Sequence, residues 1–181
     1  MSLSPYVERD PETGLLTEAA LERVLDGELS RAARHELPIS VVLLEISGHL
    51  QHNGERESAS TVARKVADVI ESRIRKEDRA ARLDRLKFAV IAVETADSAA
   101  IANDLAEHVR KSLLSNGNAS SDDLTVAVGA VDCQFDELSR EKLLEAAERA
   151  LAKAMLESHR ISLPSPPAFA QVQRPNGKRR H

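Results

Sequence analysis

Aromatic residues are nearly absent: Phe, Tyr and Trp together make up 2 % of the 181 residues. That shortage excludes the stacking platforms on which most readers of single-stranded nucleic acid depend. The interior must instead be filled by Leu, Val, Ile and Ala. A hydrophobic share of 42 % is enough for one domain-sized core. Cys133 is the only cysteine, so no intrachain disulfide and no cysteine zinc site can form. No apolar run reaches the roughly 18 residues of a membrane span, and no secretory signal pattern is present. These absences point to a soluble protein, expected in the cytoplasm, with no membrane contact. Neither sign of charge dominates: 25 Lys and Arg against 29 Asp and Glu give −4. Such a balance excludes a general nucleic-acid or membrane-surface binder.

What the chain does have is periodicity. Residues 1–9 read as a short leader. Thr17 is placed to cap a helix in which Leu21, Val24, Leu25, Leu29 and Ala32 recur at three- and four-residue steps. Pro38 stops it. Ile39 to Ile46 is β-branched and almost wholly apolar, the pattern of a strand covered on both faces. Ser47–Ser58 is polar and reads as loop or helix entry. Val62, Val66, Ile70 and Ile74 mark a second helix. Ala80–Leu83 and Phe88–Val93 read as a hairpin. Ser98–Leu114 is a third helix, Leu124–Val131 a buried strand and Leu138–Leu156 a fourth helix. Ile161 and Leu163 are expected in a last edge strand. Pro164, Pro166 and Pro167 then break regular structure, and 164–181 reads as a basic flexible tail. The order predicts an α/β sandwich. Its central mixed five-stranded sheet, combining parallel crossovers with one antiparallel hairpin, carries helices on both faces.

Five landmarks fall in one order along the chain. Asp10-Pro11-Glu12-Thr13-Gly14-Leu15 resembles a D-x-L-T-G-L opening motif. Val41 to Ser47 resembles a first strand ending in D-[IL]-D. Arg82-Leu83, four residues and then Phe88-Ala89-Val90-Ile91 resembles R-[YL]-G-G-D-E-F-x-[VI]. Thr125 to Ala130 is similar to T-[VI]-S-x-G-[VI]-A, and Ala147 to Met155 to A-D-x-A-L-Y-x-A-K. Together they resemble the GGDEF, or diguanylate cyclase, domain; the resemblance covers roughly residues 8–163, and the domain is expected at 10–163. The resemblance implies the nucleotide-cyclase-like fold of that family.

It also implies a chemistry to be checked residue by residue. A cyclase of this family joins two GTP molecules, and metal ions neutralise phosphate charge and help form the nucleophile. Magnesium takes carboxylate oxygens. Glu45 falls at the first family position for such a carboxylate. Leu86 and Lys87 stand where the two signature acids belong. An alkyl group cannot ligate magnesium, and an ammonium opposes it. The two glycines are replaced by Asp84 and Arg85. Asp84 tolerates the positive φ that glycine permits, whereas Arg85 does so poorly. Met155 and His159 occupy the places of a phosphate-contacting lysine and a nearby arginine, and Thr17-Glu18 those of an N-R pair. Asn53, eight residues after Glu45, matches a guanine-contacting asparagine; Asn53-Gly54 also reads as an ordinary turn. A degenerate, non-catalytic domain without cofactor is therefore expected, with Glu45 and Asn53 as remnants of the nucleotide and metal site.

The family often carries a second site, for its product cyclic di-GMP, with the core R-x-x-D five residues before the signature. Arg75-Lys76-Glu77-Asp78 keeps that spacing. An arginine fork can donate two parallel hydrogen bonds to phosphate or to guanine, and an aspartate can accept from guanine donors. Arg110 lies near another arginine position of the family. Seven of the ten residues Arg73–Arg82 are charged, so Arg75 and Asp78 also read as an exposed i,i+3 pair. His49 and His52 read as surface histidines, Cys133 as packing and Asp122-Asp123 as loop acids. The functions expected are a cyclic di-GMP receptor coupled to a partner protein or homodimer, a ligand-independent scaffold, or a residual cyclase using Glu45.

Overall fold

Four helices pack in two pairs on a mixed sheet in the computed structural model, which describes residues 8–48, 51–52, 55–115, 124–133, 139–160 and 169–171. In chain order the elements are β1 (Leu16–Thr17), α1 (Glu18–His35), β2 (Ile39–Gly48), a ribbon of β3 (Gln51–His52) and β4 (Glu55–Arg56), α2 (Ala59–Arg73), β5 (Arg79–Asp84), β6 (Lys87–Val93), α3 (Ser98–Leu114), β7 (Leu124–Cys133), α4 (Arg140–Arg160) and β8 (Phe169–Gln171).

Local chemistry sets most helix ends. Thr17, Ser58 and Asp97 each accept a hydrogen bond from a backbone N–H three residues on, and so cap α1, α2 and α3. α1 ends at Glu36, which takes a left-handed φ of 55° while its N–H bonds the Ala32 carbonyl. Leu37 must then be extended, because it precedes Pro38. Ile74 lies one residue past the end of α2, where the chain is already extended.

The sheet order is β1-β5-β6-β2-β7-β8. β2 is antiparallel to both β6 and β7, and β5 is antiparallel to β6. Only the edge pairs β1–β5 and β7–β8 are parallel. The crossover helices do join strands of like direction, β2 to β5 and β6 to β7. In each case another strand has been inserted between the two, the split βαβ arrangement. Three antiparallel pairings therefore replace the single hairpin expected from the sequence. The five-stranded mixed sheet with four helices is present, and the two-residue β1 extends its edge.

Side chains alternate along β2. Val42, Leu44 and Ile46 face α2 and α3. Ile39, Val41 and Leu43 face α1 and α4. Double coverage explains why the strand reads as a nearly unbroken apolar run. A fully buried aliphatic side chain contributes about 1.5–3 kcal/mol. α4 lies tight against the sheet at Gly129 of β7: a Cβ there would lie 2.3 Å from the Leu151 nitrogen and 2.6 Å from the Ala147 carbonyl oxygen.

Two differences from the sequence reading concern short strands. The polar stretch after β2 contains the β3–β4 ribbon, too short to leave a periodic signal. Ile161 and Leu163 lie outside the described residues, and the strand found beside β7 is β8, inside the stretch read as tail.

Candidate functional site

The β5–β6 hairpin positions one end of the candidate site. Asp84 pairs with Lys87, so Arg85 and Leu86 form a two-residue link. Positive φ among the described residues is confined to Gly14, Glu36, Gly48 and Glu94. Neither Asp84 nor Arg85 therefore takes the left-handed backbone that a glycine would permit. The turn is held by Arg82 instead. Its guanidinium donates to the carbonyls of Asp84 (3.2 Å) and Arg85 (2.9 Å), to Asp10 Oδ1 (3.1 Å) and to Glu12 Oε2 (2.5 Å). Thr13 donates to the same Asp10 oxygen. One arginine therefore joins the opening motif to the signature turn.

The electrostatics follow. Burial pushes the Asp10 carboxyl up, but hydrogen bonds from Thr13 and Arg82 outweigh it and hold Asp10 below its ordinary value. Glu12 is lowered by its bond to Arg82 and then by one from Ser60. Burial also opposes the charge on Arg82, yet its two carboxylate partners raise its pKa.

Beside the turn lies a groove of about 240 Å³. The end of β2 supplies Glu45 and Ile46, the start of α2 supplies Ala59 and Val62, and the turn supplies Asp84 to Lys87. Leu86 does not project as a ligand: its side chain packs against the α2/α3 core, and its carbonyl accepts from Ile46 N at 3.0 Å. Lys87 is directly opposite Glu45 across the strands. Its Nζ reaches over to α4 and donates to both oxygens of Glu148, at 2.7 Å each. Glu57, also lining the groove, is held by Lys65 at 2.7 and 2.9 Å. Asp84 Oδ1 accepts from Arg85 N at 2.7 Å.

These donors do not fit a divalent cation. Magnesium requires several oxygens in octahedral array. Glu45 has an ammonium as its cross-strand neighbour, and Glu57 and Asp84 are engaged elsewhere. Among the described residues no three His, Cys, Asp or Glu side chains converge. Asn53 and His49 lie outside the described residues. Met155 packs partly buried against the α1/α4 core.

At the other end of β5 sits the Arg75–Asp78 loop. Asp78 Oδ2 accepts from Arg75 N at 2.9 Å, Asp78 N donates to the Arg75 carbonyl at 3.2 Å, and Asp78 Oδ1 accepts from Val93 N at 3.2 Å. Asp78 thus closes its own loop and ties it to the end of β6. Arg79 braces the same loop, donating from Nη1 to the carbonyls of Lys76, Glu77 and Asp78. The Arg75 side chain is exposed and makes no hydrogen bond or ion pair among the described residues, so the i,i+3 side-chain pair is not formed. Arg110 is half-buried on α3, and no bond among the described residues connects it to Arg75 or Asp78. Asp78→Ala is expected to destabilise the fold by about 1–3 kcal/mol, because two backbone N–H groups lose their acceptor. Urea unfolding measures this; an unchanged midpoint would show the carboxylate to be dispensable.

Residues 7–160 match the family described as "Diguanylate cyclase, GGDEF domain". The chain belongs to the GGDEF family. No curated protein is matched by the sequence. Among solved structures the domain is similar to the GGDEF domain of DgcB from Caulobacter crescentus in complex with c-di-GMP. Identity is 23 %, 86 % of this chain and 94 % of that chain are covered, and the TM-score is 0.68. Diguanylate cyclase SiaD from Pseudomonas aeruginosa, in complex with its activator SiaC, is 24 % identical over 82 % of this chain and 58 % of that chain, with a TM-score of 0.66. The FimX GGDEF domain from Pseudomonas aeruginosa is 17 % identical over 92 % and 99 %, with a TM-score of 0.62. At these identities the likeness is one of fold. No described helix is long and apolar enough to cross a membrane.

Sequence reasoning singles out Glu45, Asp84, Arg85, Leu86 and Lys87, and the fold brings them to one groove. It misses the bridging role of Arg82 and the reach of Lys87 to Glu148. The signal for Arg82 is its place in both the signature and the charged run. Glu148 falls at the acidic position of the Ala147–Met155 landmark, but nothing local shows that its partner is Lys87 on another element.

Proposed function

We propose that this GGDEF domain does not synthesise cyclic di-GMP but binds it at the Arg75–Asp78 loop and passes the signal to a protein partner. One observation carries the non-enzymatic part: Lys87, bound to Glu148, stands opposite Glu45 where a metal-assisted phosphoryl transfer would need carboxylate oxygens. The receptor part is supported by the loop. Arg75 presents an uncommitted guanidinium to solvent beside an aspartate held at fixed orientation. Asp78 still has acceptor capacity, because a carboxylate offers about four lone-pair sites and two are used here. The neighbour DgcB, whose structure holds c-di-GMP, makes the ligand a reasonable choice for this fold.

Two measurements test the proposal. Purified domain incubated with GTP and magnesium is expected to form no cyclic di-GMP; clear turnover overturns the non-enzymatic reading. Calorimetry with cyclic di-GMP is expected to show binding that Arg75→Ala weakens at least about tenfold, the loss of a charge-assisted bidentate contact. Absence of heat at high micromolar ligand removes the receptor reading.

A second reading has its own support. Both oxygens of Asp78 already accept backbone N–H groups, as expected of a residue kept for loop architecture. A ligand-independent interaction domain, homodimeric or bound to another protein, then reuses the fold. SiaD, solved with its activator SiaC, is a family member that pairs with a protein.

A further inference from the structure

The signature hairpin needs to be held at the end of the sheet, and its holding residue here is a cation. Lys87 begins β6, opposite Glu45 of β2 and beside Glu148 of α4. Its side chain is 23 % exposed and that of Glu148 48 %, so the pair is only partly screened by solvent. Glu45 makes no hydrogen bond or ion pair of its own among the described residues. The ammonium is therefore bonded to one carboxylate, Glu148 of α4, and stands across the strands from a second, Glu45 of β2. We propose that the Lys87 ammonium is a built-in replacement for a divalent cation at this end of the sheet. It is a fixed positive charge that fastens the hairpin to α4 and makes the site independent of metal.

The inference rests on the non-enzymatic reading but not on cyclic di-GMP binding. Its chemistry is specific. Reversing one charge, Lys87→Glu, adds a third carboxylate at a position that faces Glu45 across the strands and Glu148 on α4. Like charges gathered there repel, and a divalent ion is the simplest neutraliser. Removing the charge without reversing it, Lys87→Met, breaks the Glu148 bridge but creates no ligand set.

The test uses thermal unfolding of the full chain with and without millimolar manganese, with manganese binding followed directly by electron paramagnetic resonance. Wild type is expected to show no manganese-dependent shift and no bound ion that depends on Glu45. Lys87→Met should unfold at a lower temperature and stay insensitive to metal. Lys87→Glu should unfold lower still in chelator and recover several degrees with manganese, as a native-state ligand requires. That recovery should vanish when Glu45→Gln is added. Two results overturn the proposal: Glu45-dependent manganese binding by wild type, or a Lys87→Glu protein that is no less stable than Lys87→Met and gains nothing from manganese. Neither outcome bears on cyclic di-GMP calorimetry, so the two proposals fail separately.

Discussion

Gly129→Ala is expected to lower stability by about 3 kcal/mol or more, at or beyond the upper end of ordinary overpacking. The reason is what the new methyl group would strike. Its nearest neighbours are the Leu151 nitrogen at 2.3 Å, the Ala147 carbonyl oxygen at 2.6 Å and the Leu151 Cα at 2.7 Å. All are backbone atoms of α4, and no side-chain rotation can clear them. α4 must lift from β7 as a unit, loosening Leu143, Ala147, Leu151 and Ala154, which are buried against the same sheet face. For a protein of this length, 3 kcal/mol corresponds to roughly 6–12 °C in melting temperature. Calorimetry or a urea titration reads it. A variant within a degree of wild type would mean that the contact relaxes without loss, and Gly27→Ala supplies the contrast. Gly27 sits inside α1, where an added methyl group would meet nothing within 4 Å, so alanine there should be neutral or slightly stabilising.

The second large effect is expected at Arg82. Arg82→Leu leaves Asp10 without a cation and the Asp84 and Arg85 carbonyls without a donor. The Arg82 side chain is 12 % exposed, Asp10 19 % and Glu12 42 %. The loss should fall below that of a deeply buried pair, at about 1–3 kcal/mol near neutral pH. Its pH dependence has a definite sign. Asp10 and Glu12 have folded values below their ordinary 3.8 and 4.5. Their contribution is complete above those ordinary values and is lost as pH falls through the lowered folded ones. The difference between wild type and Arg82→Leu should therefore be constant from neutral pH down to about 5 and shrink in the acid range below. Unfolding midpoints measured across that range check it. A difference that does not shrink in acid would show that the arginine acts only through the carbonyls of the turn.

Much of this is legible in the residues. α3 spans Ser98–Leu114 as its periodicity predicts, because caps and an apolar stripe are local features. β2, β6 and β7 are visible because burial on both faces leaves few polar positions. Strand neighbours are not, since pairing depends on residues far apart in sequence: Val42 meets Val90 on one side and Ala130 on the other. The same limit applies at the site. Leu86 and Lys87 stand out from the family pattern by their types alone. That Leu86 is packed inward, that Lys87 belongs to Glu148, and that Asp78 spends both oxygens on backbone amides are matters of three-dimensional partners.

The central place of β2 has a consequence for how the molecule is made. β2 leaves the ribosome before either of its neighbours, with two apolar faces and two bare edges. One edge is satisfied by β6, whose last residue is Val93, and the other by β7, whose last is Cys133. Nothing local can complete it. Long-range pairings of this kind fold slowly, and the waiting strand is exposed to other chains meanwhile. A fragment that stops before Leu124 keeps β2 open along one whole edge and leaves α3 without the strand it covers. Assembly of this domain is therefore a late event, committed only when β7 arrives.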